Sequence, residues 1–194
     1  MKRILWVFLV VLATGTLLAQ EEQRIAVPRP IEIPAKPVLC PYPYNHTFPA
    51  GPPNAPAPIA SEFPATLQAA IAGSVWNQTA ANKHFGHTFT FPSERHCCAM
   101  TSGRLEVTIK ALQGGGPNSS TSVNDAVHAI TNGAIFASKQ PWLNTTISTG
   151  TTTTVVFPLT AAQLASGRIS FYVQDDSAVL GAKLTVTGCC IRKP

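Results

Sequence analysis

The chain is predicted to be all-β, an antiparallel β-sandwich of jelly-roll-like type behind an N-terminal Pro-rich extended segment. Three observations carry that expectation. Residues 104–112, RLEVTIKAL, alternate strictly. Leu105, Val107, Ile109 and Ala111 share one face, and Arg104, Glu106, Thr108 and Lys110 the other, which is the pattern of a half-buried strand. Asn132-Gly133 separates two short apolar runs, residues 126–131 and 134–138. Both central positions of a type I′ turn need positive φ, which Asn and Gly accept, so the pair marks a hairpin. Finally, short alternating segments recur about every eight to fifteen residues with turn residues between them, the spacing of a sandwich or jelly roll. A parallel sheet would show continuous apolar runs instead.

In chain order, residues 1–19 are expected to be a signal peptide, 20–65 an extended linker and 66–194 the folded domain. Met1-Lys2-Arg3 is positive, Ile4 to Leu18 is almost unbroken apolar, and Ala19 is small, as in a secretory signal. The apolar stretch, about 15 residues, falls short of the ~20 that a spanning helix needs. The expected location is secreted, periplasmic or extracellular, with no membrane span after cleavage. Without Lys2 and Arg3 the charge is 12 basic minus 9 acidic residues, or +3. These charges are scattered and form no basic stripe with aromatics, so nucleic acid is not an expected partner. Between Val27 and Pro64 there are twelve prolines, which exclude a helix and a central strand and favour an extended spacer.

Beyond the spacer, residues 66–76 fit a short helix or a first strand. HTFTF, from His87, puts Phe89 and Phe91 on one face. Residues 113–121, QGGGPNSST, read as a polar loop. Residues 159–167 read as one helical turn, with Thr160 able to cap its start and Gly167 suited to its end. Residues 168–174 alternate with Ile169, Phe171 and Val173 inward. Asp175-Asp176-Ser177 turns the chain into the last strand, residues 182–187.

Five cysteines are present: Cys40, Cys97, Cys98, Cys189 and Cys190. In an exported chain they read first as disulfides. Adjacent strand residues face opposite ways, so each Cys-Cys pair offers one sulfur to each face. If the first and last strands are neighbours, Cys97 is expected to bond Cys190 and Cys98 to bond Cys189, or one of these bonds is expected beside a bond to Cys40. In the first case the odd count leaves Cys40 for an intermolecular bond or a covalent homodimer. The rival reading is a metal site, joining the cysteines to His84, His87 and His96, although no zinc-type spacing is present.

Asp175-Asp176, joined by Asn124-Asp125 if the loops converge, offer hard oxygen donors of the kind calcium takes. Residues 167–186 resemble the closing hairpin of some jelly-roll carbohydrate-binding modules. That resemblance implies a structural calcium at Asp175 and Asp176. No other cofactor is expected. No G-x-S-x-G or H-E-x-x-H motif occurs. A hydrolase reading would have to pair carboxylates from Glu62, Glu94, Glu106, Asp125, Asp175 and Asp176 with a histidine such as His46 or His128. For carbohydrate or protein binding, Trp142, after Pro141, and Tyr172, outward by alternation, are the candidate surface rings. Asn45, Asn77, Asn118 and Asn144 stand in N-x-S/T sequons. The expected function is that of an exported, non-enzymatic binding or structural module, with a secreted hydrolase or a Cys/His metal protein as alternatives.

Overall fold

The computed structural model describes residues 42–51, 63–93 and 98–191. Eight strands form its body: β1 (Tyr42–Ala50), β2 (Phe85–Thr90), β3 (Cys98–Ala111), β4 (Val127–Thr131), β5 (Ala134–Lys139), β6 (Thr152–Thr160), β7 (Arg168–Val173) and β8 (Ser177–Cys190). Three short helices accompany them: α1 (Ala65–Ile71), α2 (Ser120–Asn124) and α3 (Ala161–Leu164). The two antiparallel sheets run β1-β8-β3-β6 and β2-β7-β4-β5. Strand pairs are nested, β1 with β8, β2 with β7, β3 with β6 and β4 with β5. This is a long hairpin wrapped over two sheets, the jelly-roll arrangement.

Side-chain alternation builds the core. Leu105, Val107, Ile109 and Ala111 of β3 are fully buried, as are Leu184 and Val186 of β8. Ile169, Phe171 and Val173 of β7 meet them from the second sheet, with Phe85 and Phe89 of β2. Burying each such aliphatic side chain contributes about 1.5–3 kcal/mol. The expected hairpin is present. Asn132 and Gly133 have φ of 50° and 72° and join β4 to β5. Of residues 66–76, those up to Ile71 belong to the helix α1 and the rest leave it in a turn. At α3 the backbone N–H of Thr160 donates to Gln163 Oε1 at 2.8 Å, and Gly167 ends the turn at φ 72°.

Tyr42–Ala50, expected within the spacer, is instead the edge strand of the first sheet. Pro43 and Pro49 lie in it, opposite Cys189 and Lys183. The exclusion of a central strand holds, because a proline at an edge need only lack a donor on its open side. Pro158 occupies β6, the other edge of that sheet. The expected signal peptide and most of the expected spacer lie outside the described residues. Among those described, no helix is long and apolar enough to cross a membrane.

The disulfide pairing differs from expectation by one residue. Cys98 is bonded to Cys190, neither to Cys189 nor leaving Cys190 to Cys97. Core packing sets this register. Leu105 faces Leu184 and Val107 faces Ala182, and continuing that pairing would put Cys98 beyond Cys190. A bulge intervenes, because Met100 pairs with Gly188 and Ser102 with Thr187. Thr101 is the extra residue, its hydroxyl donating to the Thr187 carbonyl at 3.1 Å. One inserted residue slides the cysteines into direct opposition. Cys189, on the other face, is also disulfide-bonded. Its partner, like Cys40 and Cys97, lies outside the described residues. The Cys98–Cys190 bond closes a separation of 92 residues, which constrains the unfolded chain by on the order of 4 kcal/mol. Reduction, or the double change Cys98→Ser and Cys190→Ser, is expected to lower the unfolding free energy by that order. A denaturant midpoint unmoved by either would contradict the assignment.

Candidate functional site

Three carboxylates converge where the β7–β8 turn meets the segment before β4. Ligand oxygens of Asp125, Asp175 and Asp176 lie within 4.8 Å of one another. The sequence had nominated Asp175 and Asp176, with Asp125 joining if the loops met, and the loops do meet. The trio contains no histidine. Asp125 is 1% exposed and both its oxygens are engaged: Oδ1 accepts from the Asp176 backbone N–H at 2.7 Å, and Oδ2 from the Ser177 hydroxyl at 2.9 Å. Asp176 Oδ1 accepts from the Asn82 N–H at 3.0 Å. Burial pushes the Asp125 carboxyl up to about 6, against the lowering effect of its two hydrogen bonds and aided by its acidic neighbours. Oxygens at this spacing fit a hard cation in donor chemistry. Their hydrogen bonds make them, in the first place, a clamp on two turns.

Trp142 belongs to the same clamp. It is 3% exposed, not a surface ring, and its indole N–H donates to Ser177 Oγ at 3.2 Å. The apolar ring closes one end of the sandwich while its polar atom finds a buried partner. The sequence reading failed because the residues around Trp142 look like an open loop. In the fold they are drawn inward by Ile147, whose backbone pairs with Gly115.

Tyr172 does face away from the main core, as alternation requires. It is nonetheless 3% exposed, because α1 covers that side of the second sheet. Tyr172 packs with Phe63, Ile71 and Ile130. The approach is close enough that a Cβ on Gly86 would come within 2.8 Å of the Phe63 ring, so any larger residue there would force that ring to shift. The Tyr172 hydroxyl meets His84 Nδ1 at 2.6 Å, and the His84 and His128 ring centroids each lie 5.6 Å from that of Tyr172.

His128 is the nearest approach to a catalytic base. Its Nδ1 meets Ser138 Oγ at 2.7 Å and its Nε2 meets Gln174 Oε1 at 3.3 Å. Gln174 gives its amide hydrogens to the Asn124 carbonyl, so Oε1 must accept from the ring. Burial lowers the His128 pKa. The orienting group is an amide rather than a carboxylate, and the serine lies exposed on the edge strand β5. Glu106, another hydrolase candidate, is paired with Lys183 at 2.7 Å and Arg104 at 3.0 Å. The Lys183 hydrogen bond first, then the Arg104 charge, hold its carboxyl below the usual range against a small desolvation effect. The Cys/His metal reading loses Cys98, Cys189 and Cys190 to disulfides. His87 is buried among Trp76, Phe89 and Phe171, while His96 lies outside the described residues.

A cleft of about 540 Å³ lies between the end of α1 and residues 74–84, within the size range of small-molecule sites. Sequence reasoning missed it. Residues 74–84, SVWNQTAANKH, carry no clear periodicity and no motif beyond the Asn77 sequon. Their arrangement is fixed by long-range bonds: the Asn77 N–H to the Val179 carbonyl at 2.8 Å, and the Gln78 side chain to the Lys83 and Ser177 carbonyls.

No family model matches the chain, and no curated protein matches it. Among solved structures, dimeric latent PorU from Porphyromonas gingivalis is similar at a TM-score of 0.41 and 9% identity, over 76% of this chain and 13% of that one. This chain therefore spans only a small part of PorU. The Stig cyclase Fisc from Fischerella sp. TAU is similar at 0.28 and 13% identity, over 82% and 81% of the two chains. Neither likeness brings a residue or an activity to this chain.

The clamp has a pH signature. The folded Asp125 pKa, about 6, exceeds the ordinary carboxylate value near 3.9, so the folded state holds the extra proton between these values. The Asp125 contribution to stability is therefore full below about pH 4 and is lost as pH rises towards 6. Asp125→Asn is expected to flatten this slope, measured as the difference from wild type so that Glu106 and the other acids cancel. Asp125→Ala, which orphans two buried donors, is expected to cost on the order of 3 kcal/mol. Calcium at millimolar concentration should leave the melting temperature unchanged. A rise that Asp125→Asn abolishes would give the trio to a cation instead.

Proposed function

We propose that the chain is an exported, non-enzymatic jelly-roll module with a binding role at the cell exterior. The observation that carries this reading is the disulfide bonding of Cys98, Cys189 and Cys190. Such bonds persist in oxidising compartments and are rare in the cytosol, in accord with the signal-like residues 1–19. Two of the acids a hydrolase could use are already engaged, Asp125 by a backbone N–H and a hydroxyl and Glu106 by two cations.

The manner of binding follows from the edges and faces. Pro43, Pro49 and Pro158 remove donors from both edges of the first sheet, which discourages strand addition. With Trp142 and Tyr172 buried, recognition of carbohydrate or protein falls to loops and clefts. Among the described residues Cys98, Cys189 and Cys190 are disulfide-bonded, and Cys40 is the residue proposed for a bond to a partner or a second copy.

Fractionation of cells expressing the full sequence tests this reading. The expected result is protein outside the cytosol that lacks residues 1–19 and yields about one free thiol per denatured chain. An intact N-terminus in the cytosolic fraction, with five free thiols, would overturn it.

A further inference from the structure

The cleft beside α1 has a one-sided chemistry. One wall is small and apolar: Ala69, Ala70, Ala72 and Gly73, with Val75, 59% exposed, at its margin. Much of the polar lining offers donors, beside the Thr79 hydroxyl and Gln78, whose amide N–H₂ is taken by the Lys83 and Ser177 carbonyls so that its Oε1 remains an acceptor. Lys83 supplies an ammonium with no ion-pair partner among the described residues. Asn77 has its Oδ1 engaged by Lys110 Nζ at 3.0 Å, which leaves its amide N–H₂. Ser74 lines the cleft, and its hydroxyl is buried just beneath that lining with no hydrogen-bond partner. A buried polar group without a partner is costly, so a ligand acceptor that reaches it would gain a hydrogen bond.

His84 completes the set. The Tyr172 hydroxyl is held protonated, its pKa raised by burial and then by the Asp175 charge. The hydroxyl lies 2.6 Å from His84 Nδ1; when it donates there, the neutral His84 ring carries its proton on Nε2 as a further donor. Among the described residues, no carboxylate lines the cleft. Two acids reach this loop from the β7–β8 turn: the Asp175 carbonyl accepts from the Lys83 N–H at 3.1 Å, and Asp176 Oδ1 accepts from the Asn82 N–H at 3.0 Å. The bonds from Asn77 and Gln78 to β8 hold the donors in place before any ligand arrives, which reduces the ordering cost of binding.

We infer that this cleft binds a small organic carboxylate. Lys83, His84, Asn77 and Ser74 would hold the anion, with its apolar body against the alanine wall. The inference rests on the binding-module reading and names its ligand class. Two sources share the chemistry: a uronic acid residue of a polysaccharide and the C-terminal carboxylate of a peptide.

The test is a titration of the ¹⁵N-labelled, oxidised protein with matched acid and neutral probes. Glucuronate is set against glucose, and N-acetylalanine against its amide. At least one acid is expected to shift the backbone resonances of residues 73–84, at least about tenfold more tightly than its neutral partner. Lys83→Gln is expected to weaken that acid about tenfold with an unchanged melting temperature, and Lys83→Arg to retain it. Ser74→Ala provides a second variant, with a smaller loss. A response to glucuronate alone assigns an acidic sugar, and one to N-acetylalanine alone a chain terminus. A response to both assigns the carboxylate itself. The inference is overturned if neither acid shifts these residues, if the neutral probes bind equally well, or if Lys83→Gln changes nothing. That failure would leave the export reading standing, since fractionation and thiol counting test it separately.

Discussion

The β3–β8 ladder is the constraint on which the rest of the molecule depends. These two strands, 14 residues each, lie at the centre of the first sheet. Their inward residues, from Leu105 to Ala111 and from Leu184 to Val186, form one wall of the core. The ladder is fastened at both ends. Cys98 and Cys190 are bonded at one end. At the other, Ser177 faces Ala111 and donates to Asp125, while the Trp142 indole donates to Ser177. A one-residue slip would turn every apolar side chain of a strand outward. Core, disulfide and carboxylate clamp therefore agree on a single register.

Much of this was legible in the amino-acid sequence, for physical reasons that differ from element to element. The alternation in residues 104–112 and 168–174 reports directly on half-buried strands, and Asn132-Gly133 reports on turn geometry. Each is local. The misreadings all involve a second layer. Tyr172 does point outward from its sheet, but α1 comes from far away in the chain to cover it. Trp142 does follow a proline, but its loop folds over the sandwich end to reach Ser177. The prolines near Tyr42 do forbid a central strand, yet an edge strand tolerates them. Cys-Cys alternation places one sulfur on each face, yet the partner is decided by a bulge at Thr101 that no composition rule marks.

The same distinction separates structural from functional chemistry. The residues with the strongest sequence signals, the tandem aspartates and the tryptophan, are spent on closing the fold. Asp125, Asp176, Ser177 and Trp142 join segments that share no local interaction, and burial of their polar atoms makes that junction costly to break. The cleft at residues 69–84 is built from small and unremarked side chains. Its donor-rich lining emerges only when backbone bonds to β8 bring Ser74, Asn77, Lys83 and His84 together. A helix on the outer face of the second sheet thus both buries Tyr172 and creates the recess beside it.

Disulfide mapping of the unreduced protein, with fragmentation that resolves adjacent cysteines, tests the β3–β8 register most directly. The account predicts a cross-link between Cys98 and Cys190, with Cys189 bonded elsewhere. A cross-link from Cys98 to Cys189 would contradict the register, and with it the bulge at Thr101 and the facing of the core residues.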